Sequence, residues 1–546
     1  MRVSKRAGAV ALGATVALVA AGCGSGGGDD SGGNTADGAI VIDGSQPQNP
    51  LVPANTTETG GGNVVDHLWT GLVRYPSDGG EPENALAESI ETPDSKVYTI
   101  KIKQGTKFHD GTDVKAENFV KAWNWAAYGP SGAANATFFD KIDGFSEVHT
   151  KDPDGPDGPQ TAPKPAVDQM KGLKVIDETT FEVTLGAPFS IFPTMLGYSA
   201  FMPLPDAFFK STPEEFGKNP IGNGPVKFVS WENDVDIKLT RFDDYQLDDK
   251  VKIKDVTVRL YKDDQAAYND LQAGNLDFLQ QVPTSALVGG KWKVDLADRV
   301  IDVPVPSTTK IDFPFYDDRF QDVRVRKAIS LAVDRKAITD KIFDGSKKPA
   351  DSWANPLTPG AVAGNCKSCE FNPEEAKRLL QEAGGFQGKL DMYYNSNGPH
   401  KEWMEAVAQS IKNTLNIETN AIAVPTFAQF RDAIDKRQMK GPYRAAWQQD
   451  YPDVENWLGP LFVYGGSSND GDYKNPDVDR LYREGIAQAS VDDAHKKFAE
   501  AIEIVDRDVP SIVVFFYAQQ SGYSEKIAKV QTSAKGPIDL SSVELS

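Results

Sequence analysis

A chain of 546 residues is longer than one ordinary domain and holds enough for about three to four. Its composition, 40% apolar and 25% charged, is that of a soluble globular protein. A formal charge of −20 argues against nucleic acid as a partner and against unaided adsorption to an anionic lipid face.

The chain starts with Arg2, Lys5 and Arg6, followed by a charge-free, small-residue apolar stretch from Ala9 to Ala21. This is the layout of a secretory signal peptide and is short for a membrane span. It ends in Ala20-Ala21-Gly22-Cys23, which resembles the bacterial lipobox, with Ala20 where leucine is usual. The resemblance implies a signal peptide over 1–22 and acylation of Cys23 as the new N-terminus. The competing reading is an ordinary signal peptide with an incidental cysteine. Gly24 to Gly38 is a Gly/Ser/Asp/Asn/Thr-rich tether, so 23–38 reads as a flexible linker spanning on the order of 20 Å. More than one acyl chain on a single cysteine gives a stable hold on a membrane, where one chain does not.

Strands and helices then alternate. Ala39–Asp43, Tyr98–Lys103, Thr180–Leu185, Val235–Thr240 and Asp255–Tyr261 read as strands. Lys151 to Pro165 is a Pro/Gly/Asp-rich surface insert, with the wrong spacing for a calcium loop. In Asp322–Val333 the residues Val325, Ala328, Ile329, Ala332 and Val333 recur at helical spacing. Cys366 and Cys369 form a Cys-x-x-Cys pair. A zinc site lacks a second ligand pair, a thioredoxin-like redox pair belongs at the start of a helix in a small βαβ domain, and a local disulfide suits an exported loop. Asn372 followed by Pro373 is a helix start, and Lys401–Leu415 and Val491–Val505 are amphipathic helices. The class is α/β. No His-Glu-x-x-His, Gly-x-Ser-x-Gly or complete phosphate loop occurs, and with five histidines a His-based metal cluster is not expected. The reading is therefore of a non-enzyme without cofactor or metal.

Several stretches resemble the peptide and nickel class (family 5) of bacterial ABC-transporter solute-binding proteins, closest to the oligopeptide-binding lipoproteins. They are Lys107-Phe108-His109-Asp110-Gly111-Thr112 with Ala116 to Trp123; Gly222-Asn223-Gly224-Pro225 with Trp231; Phe320 to Ile329 with Asp334-Arg335; Asn372 to Leu380; and Tyr473 to Asp479. They run in the family's order from about 40 to 520. Phe108, Val120 and Trp123 read as core.

The segment Arg444-Ala445-Ala446-Trp447-Gln448-Gln449-Asp450-Tyr451-Pro452 resembles the family's binding stretch. The resemblance implies Asp450 as partner of a peptide's α-ammonium and Arg444 as partner of its carboxylate. It also implies His400, in Asn395 to Lys401, as a second carboxylate contact. Trp447 is either a wall of the cleft or a core residue. If the segment is extended, residues 444, 446, 448 and 450 share a face, and six residues span at most roughly 20 Å. A peptide of three to five residues spans about 10 to 17 Å by the same rise. An acid at one end and a guanidinium at the other complement a zwitterionic peptide, and main-chain groups between them can pair with any peptide backbone. Two departures bear on ligand length: Phe343 stands where the oligopeptide binder has a lysine, and Pro47, in the ligand-side loop Gly44 to Pro50, has no N–H.

The resemblance implies a periplasmic-binding-protein-like (class II) α/β fold of two lobes on hinge strands with an inserted subdomain. By position, 39–77, 219–305 and 516–546 make lobe I, 78–218 the insert and 306–515 lobe II. Ligand closes the lobes. The expected protein is a monomeric lipoprotein on the outer face of the cell membrane. It presents peptides to the transmembrane permease subunits of an ABC importer and binds no nucleic acid. A dipeptide, nickel-chelate, haem or oligosaccharide cargo on the same fold is the alternative, and a lipoprotein hydrolase is the alternative of another class.

Overall fold

The computed structural model describes residues 38–77, 79–153, 160–396 and 398–546. The signal segment, Cys23, the linker up to residue 37 and residues 154–159 of the proline-rich insert lie outside the described residues.

One mixed sheet organises the chain. Its strand order is Thr419–Val424, Leu390–Asn395, Tyr443–Gln448, Val300–Asp312, Ser511–Tyr523, Phe278–Leu279, Ala39–Gly44, Asp255–Leu260, Asp236–Arg241 and Val226–Glu232. Lys348–Pro349 joins it alongside Ser511–Tyr523. The two long central strands, Val300–Asp312 and Ser511–Tyr523, are antiparallel and serve both halves of the sheet. Val300–Pro304 pairs with Ala518–Gly522, and Thr308–Asp312 pairs with Ser511–Phe516. Between these runs the register shifts. The cause lies in Pro304-Val305-Pro306: proline has no N–H to give to a ladder. The pairing is thus interrupted within the strand itself, with one set of strands on each side.

The second run is fixed by a buried ion pair. Lys310 Nζ donates to both carboxylate oxygens of Asp312 at 2.5 and 2.6 Å, and Ser511 Oγ donates to the same group at 2.6 Å. The two charged side chains are 5% and 6% exposed.

Residues 87–184 hold a separate four-stranded sheet, ordered Ala87–Glu91, Val97–Ile102, Thr180–Thr184 and Leu173–Val175. The helix Ala116–Ala127 packs on it, with Phe119 stacked on Phe181 at 5.6 Å and Trp123 edge-on to the same ring. Phe108 and Trp123 are fully buried, and Val120 is partly buried against the same core. The Gly222–Pro225 turn needs its glycines: a Cβ on Gly222 would lie 1.9 Å from the Leu68 carbonyl oxygen. Between them Asn223 is buried, its Nδ2 donating to Thr70 O and its Oδ1 accepting from Thr70 N–H.

The predicted strands all form, with ends shifted by a residue or so. Asp322 caps Val323–Leu331 by accepting from Arg324 N–H, and Asn372 caps Pro373–Glu382 by accepting from Glu375 N–H. The last predicted helix runs on to Asp508. Cys366 and Cys369 are joined by a disulfide in a loop beside Arg335. Arg335 and Arg326 are scaffold. Their guanidiniums are spent on main-chain carbonyls, including those of Val513, Cys369, Phe320 and Asp508. Burial pulls Arg335 down to about 9.

Candidate functional site

The strand Tyr443–Gln448 carries the site. It enters past Gly441, where a Cβ would lie 2.0 Å from the Asp391 carbonyl oxygen. One edge pairs over six residues with Ser307–Asp312. On the other edge Tyr443 alone pairs with Tyr393 of Leu390–Asn395, after which the neighbouring strand is no longer in register. Gln449 N–H donates to Pro306 O at 3.2 Å. By antiparallel alternation, the main-chain groups of Ala446 and Gln448 face the opposite way, along an edge that has no strand partner there among the described residues. The strand ends at Gln448, so Asp450 lies in the following loop, beyond the run over which alternation puts residues 444, 446 and 448 on one face.

At the start of this edge stands Arg444. Its Nε donates to Asn395 Oδ1 at 2.8 Å, and its guanidinium lies 5.6 and 5.8 Å from the ring centres of Phe427 and Phe430. Burial holds it below its ordinary value. Tyr517 opposes that shift and Arg431 adds to it, and among the described residues no carboxylate pairs with Arg444. Beside it, His400 precedes the helix Lys401–Leu415 and is 9% exposed. Among the described residues its Nδ1 has no hydrogen-bond partner. Burial, then the charge of Arg444, pushes His400 down to about 3, so the imidazole is neutral. Gly398 makes room for it: a Cβ there would meet His400 Nε2 at 2.7 Å. Asn397 of the same stretch lies outside the described residues. A guanidinium without a carboxylate and a buried imidazole nitrogen without a partner thus converge, which is the chemistry of an anion site.

At the far end, Asp450 is half-buried and held by Asn456. Asn456 Oδ1 accepts from Asp450 N–H at 2.8 Å, and Asn456 Nδ2 donates to Asp450 Oδ2 at 3.0 Å. Burial raises the Asp450 carboxyl above its ordinary value, while Asn456, Lys535 and Tyr198 pull the other way. Trp447 is half-buried against the main core and donates from Nε1 to Asn456 Oδ1 at 3.3 Å. It therefore packs and positions at once.

A cavity of about 500 Å³ adjoins this end, lined by Tyr75, Val303, Pro306, Gln449, Tyr451 and Lys535 among others. A second, of about 640 Å³, shares Tyr75 and Lys535 and reaches Asp66, His67 and Asp539. Phe343 is buried against Phe515 in the core. Among the described residues no group of three or more His, Cys, Asp or Glu converges as a metal site, and no helix is long and apolar enough to cross a membrane.

Sequence reading named Arg444, His400, Trp447 and Asp450 as candidates. It missed the residues that hold them: Asn456, Asn395 as partner of Arg444, the Phe427/Phe430 platform, and Tyr75, Tyr198 and Lys535. Asn395 sat inside a motif already singled out and Asn456 lies six residues past Asp450, but the others come from other segments with no local signal.

A two-part sheet on a proline-broken central strand, with an open edge bounded by unlike charges, fits a binding protein. Residues 81–469 match the family described as bacterial extracellular solute-binding proteins, family 5 (middle), and the chain belongs to that family. The periplasmic oligopeptide-binding protein OppA of Salmonella typhimurium is 29% identical over 528 residues, covering 93% of this chain and 92% of that one. The crystal structure of Haemophilus influenzae OppA in complex with RPPGFSPFR superposes with a TM-score of 0.77 at 25% identity, covering 93% of this chain and 99% of the other. The murein tripeptide binding protein MppA of Escherichia coli has the same fold, with a TM-score of 0.79 at 22% identity, 93% of this chain and 99% of that one.

Proposed function

We propose that this protein captures short peptides between its lobes and presents them to the permease of an ABC importer. The observation that carries this is the open main-chain edge of Tyr443–Gln448, with Asp450 beyond one end and Arg444 with His400 at the other. The ligand's backbone adds as a strand to Ala446 and Gln448, so affinity comes from groups common to all peptides. Its α-ammonium meets Asp450, and its carboxylate meets Arg444 and His400. An oligosaccharide would leave both charged ends without a partner, at a desolvation cost, which favours a zwitterion. No step of this function needs catalysis or a cofactor.

The lobes we assign are 39–77 with 219–305 and 516–546, the insert 78–218, and lobe II 306–515. The register shift between Pro304 and Thr308 supports this division. Ligand bridging the two lobes favours the closed form by its higher affinity for it. Acylation of Cys23 would hold a monomer on the outer face of the cell membrane, the linker letting it reach the permease. Globomycin treatment of expressing cells tests this anchor: accumulation of the unprocessed precursor supports it, and normal processing with release from the membrane contradicts it. Binding itself is tested by calorimetry of refolded protein with free tripeptides; no heat with any of a mixed panel rejects peptide as cargo.

A further inference from the structure

We propose that Lys535 sets a charge rule at the amino end of the ligand: a first residue with an acidic side chain is favoured over one with a basic side chain. This deepens the peptide reading and rests on it.

Lys535 sits in the turn between the strands Ile527–Thr532 and Ile538–Leu545. Its backbone is tied to the binding strand, because Gln448 Nε2 donates to Lys535 O at 2.6 Å. Its ammonium lies 5.5 Å from the ring centre of Tyr75 and 5.3 Å from that of Tyr198. It lines both cavities at this end. Among the described residues it forms no ion pair, although most lysines with this degree of shelter in the chain have one, such as Lys141 with Asp140 or Lys497 with Glu500. Its charge acts on Asp450, helping to keep that carboxylate ionised.

A peptide whose α-ammonium docks on Asp450 therefore brings its first side chain near a half-buried cation that forms no ion pair among the described residues. A glutamate there completes a charge-assisted contact, and a lysine places two like charges together. Other charges also face this space. Asp66 acts on Tyr75 and Tyr198, and Asp66 and Asp539 act on His67. Asp66 is exposed, so water and salt screen it, and Asp539 accepts a 2.8 Å hydrogen bond from Ser77. Lys535 is half-buried between two aromatic faces and is screened less.

The test is calorimetry with Glu-Ala-Ala, Gln-Ala-Ala and Lys-Ala-Ala on the wild-type protein, Lys535→Met and Lys535→Glu. Thermal melts first confirm that both variants are folded. Met keeps the contact with the two rings and removes the charge. The wild type should bind in the order Glu, Gln, Lys, with about a tenfold ratio between the extremes, or about 1.4 kcal/mol. The ratio should fall to near one in Lys535→Met and invert in Lys535→Glu. An unchanged ratio in Lys535→Met, or Lys-Ala-Ala tighter than Gln-Ala-Ala in the wild type, overturns the rule while leaving peptide binding intact. No binding of any of the three overturns the peptide reading and the rule with it.

Discussion

Replacing Lys310 by Met should be among the most damaging single changes outside the site. The ammonium makes two hydrogen bonds to Asp312 and both side chains are nearly fully enclosed, so the change strands a carboxylate on which Ser511 Oγ is the remaining donor. Breaking a buried pair by deleting one partner costs about 3–5 kcal/mol, a large part of the 5–15 kcal/mol that holds a typical fold. The exposed pair Lys101–Glu88, by contrast, is worth about 0–1 kcal/mol. Urea unfolding followed by tryptophan fluorescence reads the loss. The double change Lys310→Met with Asp312→Leu removes both charges and should recover most of it. Asp312 is also the cross-strand partner of Tyr443, the first residue of the binding strand, so peptide affinity should fall with Lys310→Met and return in the double variant. A loss under 1 kcal/mol for Lys310→Met, or a double variant no more stable than the single, refutes the reasoning.

Two predictions concern pH. Burial depresses His495, but the hydrogen bond and charge of Asp453 at 2.9 Å overcome this and raise it above its ordinary 6.5. Protonation therefore favours the fold: the contribution is present below about pH 6.5 and disappears as pH rises through the raised value. His495→Gln should lower the melting temperature at pH 5.5 and not at pH 9, and an equal drop at both contradicts the pairing. Asp450, raised mainly by burial, should lose its charge at milder acidity than an ordinary carboxylate, while His400 stays neutral down to about pH 3. As pH drops, peptide affinity should thus fall in the wild type at milder acidity than an ordinary carboxylate would give, and stay flat, though weak, in Asp450→Asn. An equal fall in both assigns the titration elsewhere.

The fold was legible because its elements obey local rules. Asp322 and Asn372 announce helix starts by side-chain chemistry alone, and alternation in Tyr98–Lys103 marks a half-buried strand. The interruption was readable in principle, since Pro304 and Pro306 break a run that otherwise reads as strand, but where the break falls depends on the partner Ser511–Tyr523, more than two hundred residues away. The site was half legible. Charges at the two ends of one segment are visible in the sequence. Their supports are not, because Phe427 and Lys535 reach Arg444 and Asp450 through tertiary packing, and nothing local distinguishes Asn456, six residues past Asp450, from a surface polar residue. The extended reading of the segment reached Asp450 only on condition that the strand ran that far, and the strand gives way at Gln448 to a loop held by Asn456.

The most direct test of the account is calorimetric titration of the refolded chain from Gly24 onward with one tripeptide in three forms: free, N-acetylated and C-amidated. Tight binding of the free form, lost on acetylation and in Asp450→Ala and weakened on amidation and in Arg444→Met, is the predicted result. Truncating one member of such a buried charged contact is worth about 2–5 kcal/mol, or roughly thirtyfold or more in Kd. Equal affinity for all three forms, or none for any of them, would contradict a site built to clamp both ends of a peptide.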